Sequence, residues 1–321
     1  MMRRISHLSI FWSLLFLTLP ARAADSAQNM LAGGRVDEAI SALHGRLSSD
    51  PGDAESFNLL CRAYFALDDW ERAESSCRKA VSLEPNNSRF HLWLGRVYGE
   101  KADRSNFLSA AGLAGKTRTE FQRAVDLNPK DMDARLDLAE FYLEAPGIVG
   151  GGQDKARAQA KVIGSVSPDR EHWIYARIAE KNRDAAAAER EYRQVIDLSH
   201  GDAESWLNLA LFLRRQKRYA EMEQAIVKVR QAPLPRLDAL VDAAQTLLRA
   251  GRSFPLAVQL LRQYLDSGPV EEAPAFKAHY LLGMLLEKQG DKAGAAQEYR
   301  ASLALARNFG LAQQALNRVA P

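Results

Sequence analysis

The sequence predicts an all-α fold, a solenoid of about seven to eight helix-turn-helix repeats in one continuous domain with a single capping helix at its end. Three observations predict it. Gly52-Asp53-Ala54-Glu55-Ser56-Phe57 and Gly201-Asp202-Ala203-Glu204-Ser205-Trp206 nearly coincide, and each opens an amphipathic helix followed by a second. Repetition at a period of a few tens of residues marks stacked units, each burying its apolar face against its neighbours. The clearest unit, Ala54 to Asn87, is 34 residues long, and Pro85 stands where its second helix must stop.

The chain begins differently. Arg3 and Arg4 precede the apolar run Leu8 to Leu19, closed by Pro20 and followed by Ala21-Arg22-Ala23. A basic start, a short apolar run and a small-x-small site are the parts of a secretory signal peptide. The run is shorter than the roughly 20 residues a membrane helix needs. Residues 1–23 are therefore expected to be cleaved, leaving a mature chain of 24–321 in the periplasm or cell envelope; an uncleaved anchor is the alternative. Of the 43 basic residues three lie in this leader, which leaves 40 against 40 acidic ones. A general nucleic-acid or anionic-membrane binder needs a cationic surplus, and this chain as a whole has none. The composition, 47% apolar and 26% charged over all 321 residues, is ordinary for a globular protein.

The unit Ala54 to Asn87 resembles a tetratricopeptide repeat. Its aromatic at position 4 is Phe57, its Leu at 7 is Leu60, its small residue at 8 is Cys61 and its Tyr at 11 is Tyr64. Ala73, Ala80 and Pro85 occupy positions 20, 27 and 32, and only Cys77 at position 24 is small where a bulky residue is usual. Small residues let two antiparallel helices approach, and large ones fill the space between neighbours. The same spacing continues along the chain. A degenerate first repeat holds Gly34, Ala39, Leu43 and Pro51. The third has Leu94-Gly95, Tyr98, Phe121, Ala124 and Pro129, and the fourth Leu138-Ala139, Tyr142, Ala156 and Pro168. The fifth has Ala176, Ala188, Tyr192 and Leu198, and the sixth Trp206, Leu209-Ala210, Tyr219 and Ile226. A weak seventh rests on Gly251, Ala257 and Leu261, and the eighth on Leu282-Gly283, Gly290, Ala295 and Tyr299. Repeats are expected near 24–53, 54–87, 88–131, 132–168, 169–202, 203–236, 237–270 and 271–307, with the cap at 308–321. The resemblance implies a right-handed superhelix with a concave and a convex face.

Two places break the period. Pro85 to Pro129 spans 44 residues and Pro129 to Pro168 spans 39. The extra length falls around Gly99 to Thr119 and in Ala145 to Ala156, between the first and second helix of each repeat. The two insertions should be neighbours on one edge and are candidates for a binding surface. Pro146 to Gly152 is no phosphate loop: Gln153 and Asp154 stand where Lys and Ser/Thr are required.

The two cysteines, Cys61 and Cys77, occupy positions 8 and 24 of one repeat, which face each other across the hairpin. A disulfide is expected in an oxidising compartment, against the objection that helix axes 8–10 Å apart exceed the usual reach of a bridge. His91, His172 and His279 fall at position 4 and read as packing residues. No G-x-S-x-G, H-E-x-x-H or C-x-x-C occurs, and no catalytic, metal or cofactor site is expected.

In the repeat family, first-helix positions 2, 5, 9, 12 and 13 line the inner groove. By that resemblance the groove here includes Arg62, Arg89, Leu92, Arg96, Leu136, Glu140, Trp173, Arg177, Lys181, Leu207, Arg214 and Tyr280. Arg at position 9 recurs as Arg62, Arg96 and Arg177, a row able to hold an extended peptide or its terminal carboxylate. The Asn at position 9 that the family's carboxylate clamp requires is absent, so that specificity is not expected. The expected function is a non-enzymatic, protein- or peptide-binding scaffold of the envelope. The alternatives are end-to-end self-assembly through Phe309, Leu311, Leu316 and Val319, or an enzyme sited at the insertions, which contain no His.

Overall fold

The computed structural model describes residues 27–319, so the leader at 1–23 lies outside the described residues. Within them the chain is a succession of antiparallel helix pairs. The first pair is α1 (27–32) and α2 (Val36–Ser49), then α3 (Ala54–Ala66) with α4 (Trp70–Leu83) and α5 (Ser88–Asp103) with α6 (Phe107–Leu127). Next come α7 (Met132–Glu144) with α8 (Gln153–Gly164), α9 (Pro168–Lys181) with α10 (Ala185–Leu198), and α11 (Ala203–Arg215) with α12 (Tyr219–Gln231). The last pairs are α13 (Asp238–Ala250) with α14 (Phe254–Ser267) and α15 (Ala275–Lys288) with α16 (Lys292–Leu305), followed by α17 (Gly310–Val319). No strand occurs among the described residues.

The turns inside the pairs share one construction. Asp68, Arg183, Lys217 and Gly290 each take a left-handed φ (60°, 62°, 58° and 88°). The following residue then donates its N–H back to a carbonyl in the last turn of the first helix: Asp69 to Tyr64, Asp184 to Ala179, Arg218 to Leu213 and Asp291 to Leu286. This is the bonding that satisfies the last carbonyls of a helix. Asp69, Asp184 and Asp291 then cap the second helix by accepting an N–H from Arg72, Ala187 and Gly294.

Within a pair, positions 8 and 24 are where the helices come closest. A Cβ on Gly95 would lie 2.5 Å from the Phe121 ring, and one on Gly283 would lie 2.5 Å from the Tyr299 ring. Glycine and a ring fill that slot in the third and eighth repeats. In the second repeat it holds Cys61 and Cys77, joined as a disulfide with Cα atoms 5.1 Å apart. The mean axis separation overstates the gap there, because small side chains draw the two backbones together.

The insertions are absorbed differently. The longer one extends the α5–α6 hairpin, and α6 with 21 residues is the longest helix described. The shorter one forms a 3-10 turn, Gly147–Val149, with Gly150 left-handed. Gly150 packs directly on the Arg118 side chain, and a Cβ on Gly151 would sit 1.8 Å from the Ala145 carbonyl oxygen. The two insertions therefore meet, and the turn accepts no side chain at Gly151.

The superhelix curls until its two ends touch. Ala27, Leu31 and Val36 share one core with Phe276, Ala306, Phe309 and Ala312. A Cβ on Gly34, whose φ is +72°, would fall 2.6 Å from the Ala275 nitrogen. Ion pairs ring this seam: Arg62 with Glu271, Lys277 Nζ to Asp68 at 2.9 Å, and Arg307 Nε to Asp37 at 3.1 Å. Phe309 packs edge-on against both Phe276 and Tyr280. The closing segment thus buries Phe309 and Val319 inside the molecule, and among its described residues Leu311 is the one exposed large apolar side chain.

Candidate functional site

The helices α7, α9, α11 and α13 turn their inner faces toward a common space. With the loops at 234–237 and 270–272 they enclose a cavity of about 820 Å³. Its position follows from local sequence. Asp131 and Asp202 cap α7 and α11 through the N–H groups of Ala134 and Ser205, which fixes the first turn of each helix on the cavity rim. The opening turns of α7, α9, α11 and α13 supply Asp133, Arg170, Glu204 and Asp238 to the wall. Carboxylates there are favoured by the positive ends of the helix dipoles.

The wall is strongly acidic. Eight carboxylates, Asp133, Asp137, Glu140, Asp169, Asp202, Glu204, Asp238 and Glu272, face three guanidinium groups, Arg96, Arg170 and Arg236. The arginines are all engaged: Arg96 with Asp137 at 2.6 Å, Arg170 with Asp133 at 3.1 Å, and Arg236 with Asp238 at 2.6 Å and Glu204 at 3.3 Å. Glu140, Asp169, Asp202 and Glu272 make no direct ion pair among the described residues, although Arg177 and Arg96 act on Glu140, and Arg236 on Glu272, through space. Glu140 reaches solvent through the cavity, yet its carboxyl is pushed up to about 7, first by the protein that displaces water around it and then by the Asp137 carboxylate. Burial also raises Asp137, against the pull of Arg96. A second cavity of about 230 Å³ adjoins the first and shares Glu140, Trp173 and Asn208 with it. Trp173 Nε1 donates to Asn208 Oδ1 at 3.2 Å, presenting the indole at the junction.

Of the residues expected to line the groove, Leu136, Glu140, Trp173 and Arg96 meet at this cavity. Arg177 lines the smaller one, held by Glu144 at 2.6 Å and Glu180 at 2.7 Å, and Lys181 also reaches Glu144 at 2.7 Å. Arg62 is committed to the seam with Glu271, beneath the Trp93 ring, and Arg89 pairs with Glu55. Three others are not groove residues. Leu92 and Leu207 are buried in the core between repeats, and Tyr280 packs between Tyr299 and Phe309 at the seam. Arg214 is half-buried and lines neither cavity; its Nε is shielded without a partner. The position-9 arginines thus form no open cationic row, because each is paired with a carboxylate: Arg62 across the seam, Arg96 and Arg177 within their own or a neighbouring repeat.

Among the described residues no three His, Cys, Asp or Glu side chains gather as metal ligands, and no helix is long and apolar enough to cross a membrane.

Residues 30–92, 176–232 and 241–318 match the tetratricopeptide repeat family. The chain is a tetratricopeptide repeat protein. Proteins of this family mediate protein–protein interaction. The unmatched stretch of this repeat protein, 93–175, contains both insertions. Among solved structures it is similar to a thermophilic repeat protein of Thermus thermophilus, at 18% identity over 60% of this chain and 97% of that one, with a TM-score of 0.50. It is also similar to PilW, described as a widely conserved type IV pilus biogenesis factor, at 14% identity over 65% and 91% of the two chains, TM-score 0.50. A repeat protein from Parabacteroides merdae aligns at 14% identity over 94% and 98%, TM-score 0.49. At these identities the likeness is one of fold. A search of curated proteins returned no match.

Sequence reasoning passed over the acidic wall. Position 2 of the repeats, with Glu55, Arg89, Asp133, Arg170 and Glu204, alternates in sign and carries no acidic signal of its own. Their ion pairs run from repeat to repeat, Arg89 to Glu55 and Arg170 to Asp133.

Proposed function

We propose that this repeat protein is a non-enzymatic scaffold of the bacterial periplasm or cell envelope that holds a basic, extended segment of a partner protein in its concave cavity. The observation that carries the reading is the excess of carboxylates over guanidinium groups on the wall, with Glu140, Asp169, Asp202 and Glu272 left without a direct ion pair among the described residues. A lysine or arginine side chain entering there meets carboxylates already gathered, beside an indole face that attracts cations. A terminal carboxylate would meet net repulsion, since the wall arginines are taken. Export is supported by the leader pattern at residues 1–23 and by the Cys61–Cys77 disulfide, a bond that persists in oxidising compartments.

The test is in-cell photo-crosslinking with a benzoyl-phenylalanine placed at Trp173, followed by mass spectrometry of the attached peptide and of the mature N-terminus. The reading expects one dominant envelope protein, attached through a Lys/Arg-rich stretch, and a mature chain that begins at Ala24. Attachment through an acidic stretch, or to copies of the same chain alone, would refute it, the latter in favour of self-assembly.

A further inference from the structure

The chain's overall neutrality hides a segregation of charge and apolar surface. The cavity wall is acidic; the edge built by the two insertions is the reverse. The three most exposed large apolar side chains among the described residues are Phe107, Leu108 and Ile148, at 81%, 83% and 89%. All three lie on the insertions. From Ser105 to Thr119 the chain contains no carboxylate, and its only charges are Lys116 and Arg118.

A cationic site lies beside the turn that bears Ile148. Arg118 packs on Gly150, and Lys155 Nζ donates to the Gly150 carbonyl at 2.9 Å, so the turn bearing Ile148 is held between two cations. Arg118, Arg123 and Lys155 line an open cavity of about 460 Å³ whose single carboxylate, Asp126, accepts from Gln122. Phe107 and Leu108 begin the longest helix, at the end of the extended hairpin.

We propose that this edge docks on an anionic lipid surface, with Phe107 and Leu108 entering the headgroup region and Arg118 and Lys155 facing lipid phosphates. Apolar side chains beside unneutralised cations are the composition of an interfacial anchor. Phe107 and Leu108 stand at the end of the extended hairpin and Ile148 on the 3-10 turn, and none of them lines one of these cavities, a shape that a fluid surface accommodates without a matching pocket. Charge complementarity decides the class of lipid: cations without carboxylate partners select acidic headgroups over zwitterionic ones.

The experiment is vesicle flotation with residues 24–321, which retains every described contact. Vesicles of phosphatidylglycerol with phosphatidylethanolamine are compared with vesicles of phosphatidylcholine. The protein is expected to float with the first and not the second, and to be released by salt. Phe107→Asp with Leu108→Asp, and separately Arg118→Glu with Lys155→Glu, should each weaken binding by about tenfold or more. Leu311→Asp, on the cap, should leave it unchanged. Circular dichroism melts verify that each variant is folded. No binding to the anionic vesicles, or binding that ignores both double variants, would overturn the proposal. So would a photo-crosslinker at position 107 that captures one protein in the envelope and no lipid.

Discussion

Arg62 and Glu271 are joined by two hydrogen bonds across 209 residues of sequence, Nε to Oε1 at 2.6 Å and Nη2 to Oε2. Their side chains are only 10% and 13% exposed. This contact exists because the repeats curve far enough for the second pair of helices to meet the loop before α15. Removing one partner leaves a shielded charge alone. Glu271→Ala is expected to lower stability by about 3 kcal/mol, read as a shift in the urea midpoint. Replacing both partners by methionine should cost much less. If Glu271→Ala unfolds like the parent, the seam is not closed in solution.

The helix contact at positions 8 and 24 makes a second prediction. Gly283 faces the fully buried Tyr299 ring, whose hydroxyl donates to Glu287 at 2.8 Å. The ring has no free space to retreat into. Gly283→Ala should destabilise by about 2 kcal/mol although alanine is the better helix former. Gly112→Ala, in α6 with nothing within 4 Å of its added Cβ, should be neutral or stabilising. Equal melting shifts for the two would contradict the packing account.

Lys217 adopts φ 58° in the turn between α11 and α12, the place taken by Gly290 in the last repeat. Its side chain is exposed. Lys217→Gly is expected to stabilise by about 1 kcal/mol by relieving the left-handed cost, as measured by chemical denaturation. A loss of stability would show that the lysine side chain contributes there.

Three position-4 histidines bond to glutamates of the following helix, His91 to Glu120, His172 to Glu191 and His279 to Glu298. In His91 the Glu120 bond, followed by the Pro85 carbonyl, raises the pKa above the ordinary 6.5 against the opposing effect of burial. A raised histidine contributes stability that is full below 6.5 and lost as pH rises through the folded value. Glu140 acts in the same direction: its carboxyl rises from 4.5 to about 7, so the native state binds the extra proton and stability falls between those values. Stability should therefore decline from pH 5 toward pH 8. Glu140→Gln should flatten the lower part of that decline, and His91→Gln the upper part. Melting curves across this range that both variants leave unaltered would contradict the assignment.

The helix pairs were legible because their signal is local. Ala73 and Ala80 mark where backbones approach, and proline or a left-handed turn marks each end. The slot shared by Cys61 and Cys77 was legible too, since positions 8 and 24 are fixed by the period. The cavity wall and the seam were not. Glu271 meets Arg62 only through the accumulated curvature of six repeats, which no short-range pattern encodes. Leu92 and Leu207 share position 5 with Leu136 and Trp173, but their apolar side chains turn into the inter-repeat core. Whole-chain neutrality, 40 against 40 after the leader, concealed the concentration of carboxylates around Glu140.

The most direct test of the central claim is fluorescence anisotropy of labelled extended peptides, one rich in lysine and arginine, one of equal length rich in glutamate. The account predicts that residues 24–321 bind the basic peptide and not the acidic one. It also predicts that Glu140→Gln, Asp169→Asn and Glu272→Gln together weaken that binding by about tenfold or more. Preference for the acidic peptide, or unchanged affinity in the triple variant, would contradict it.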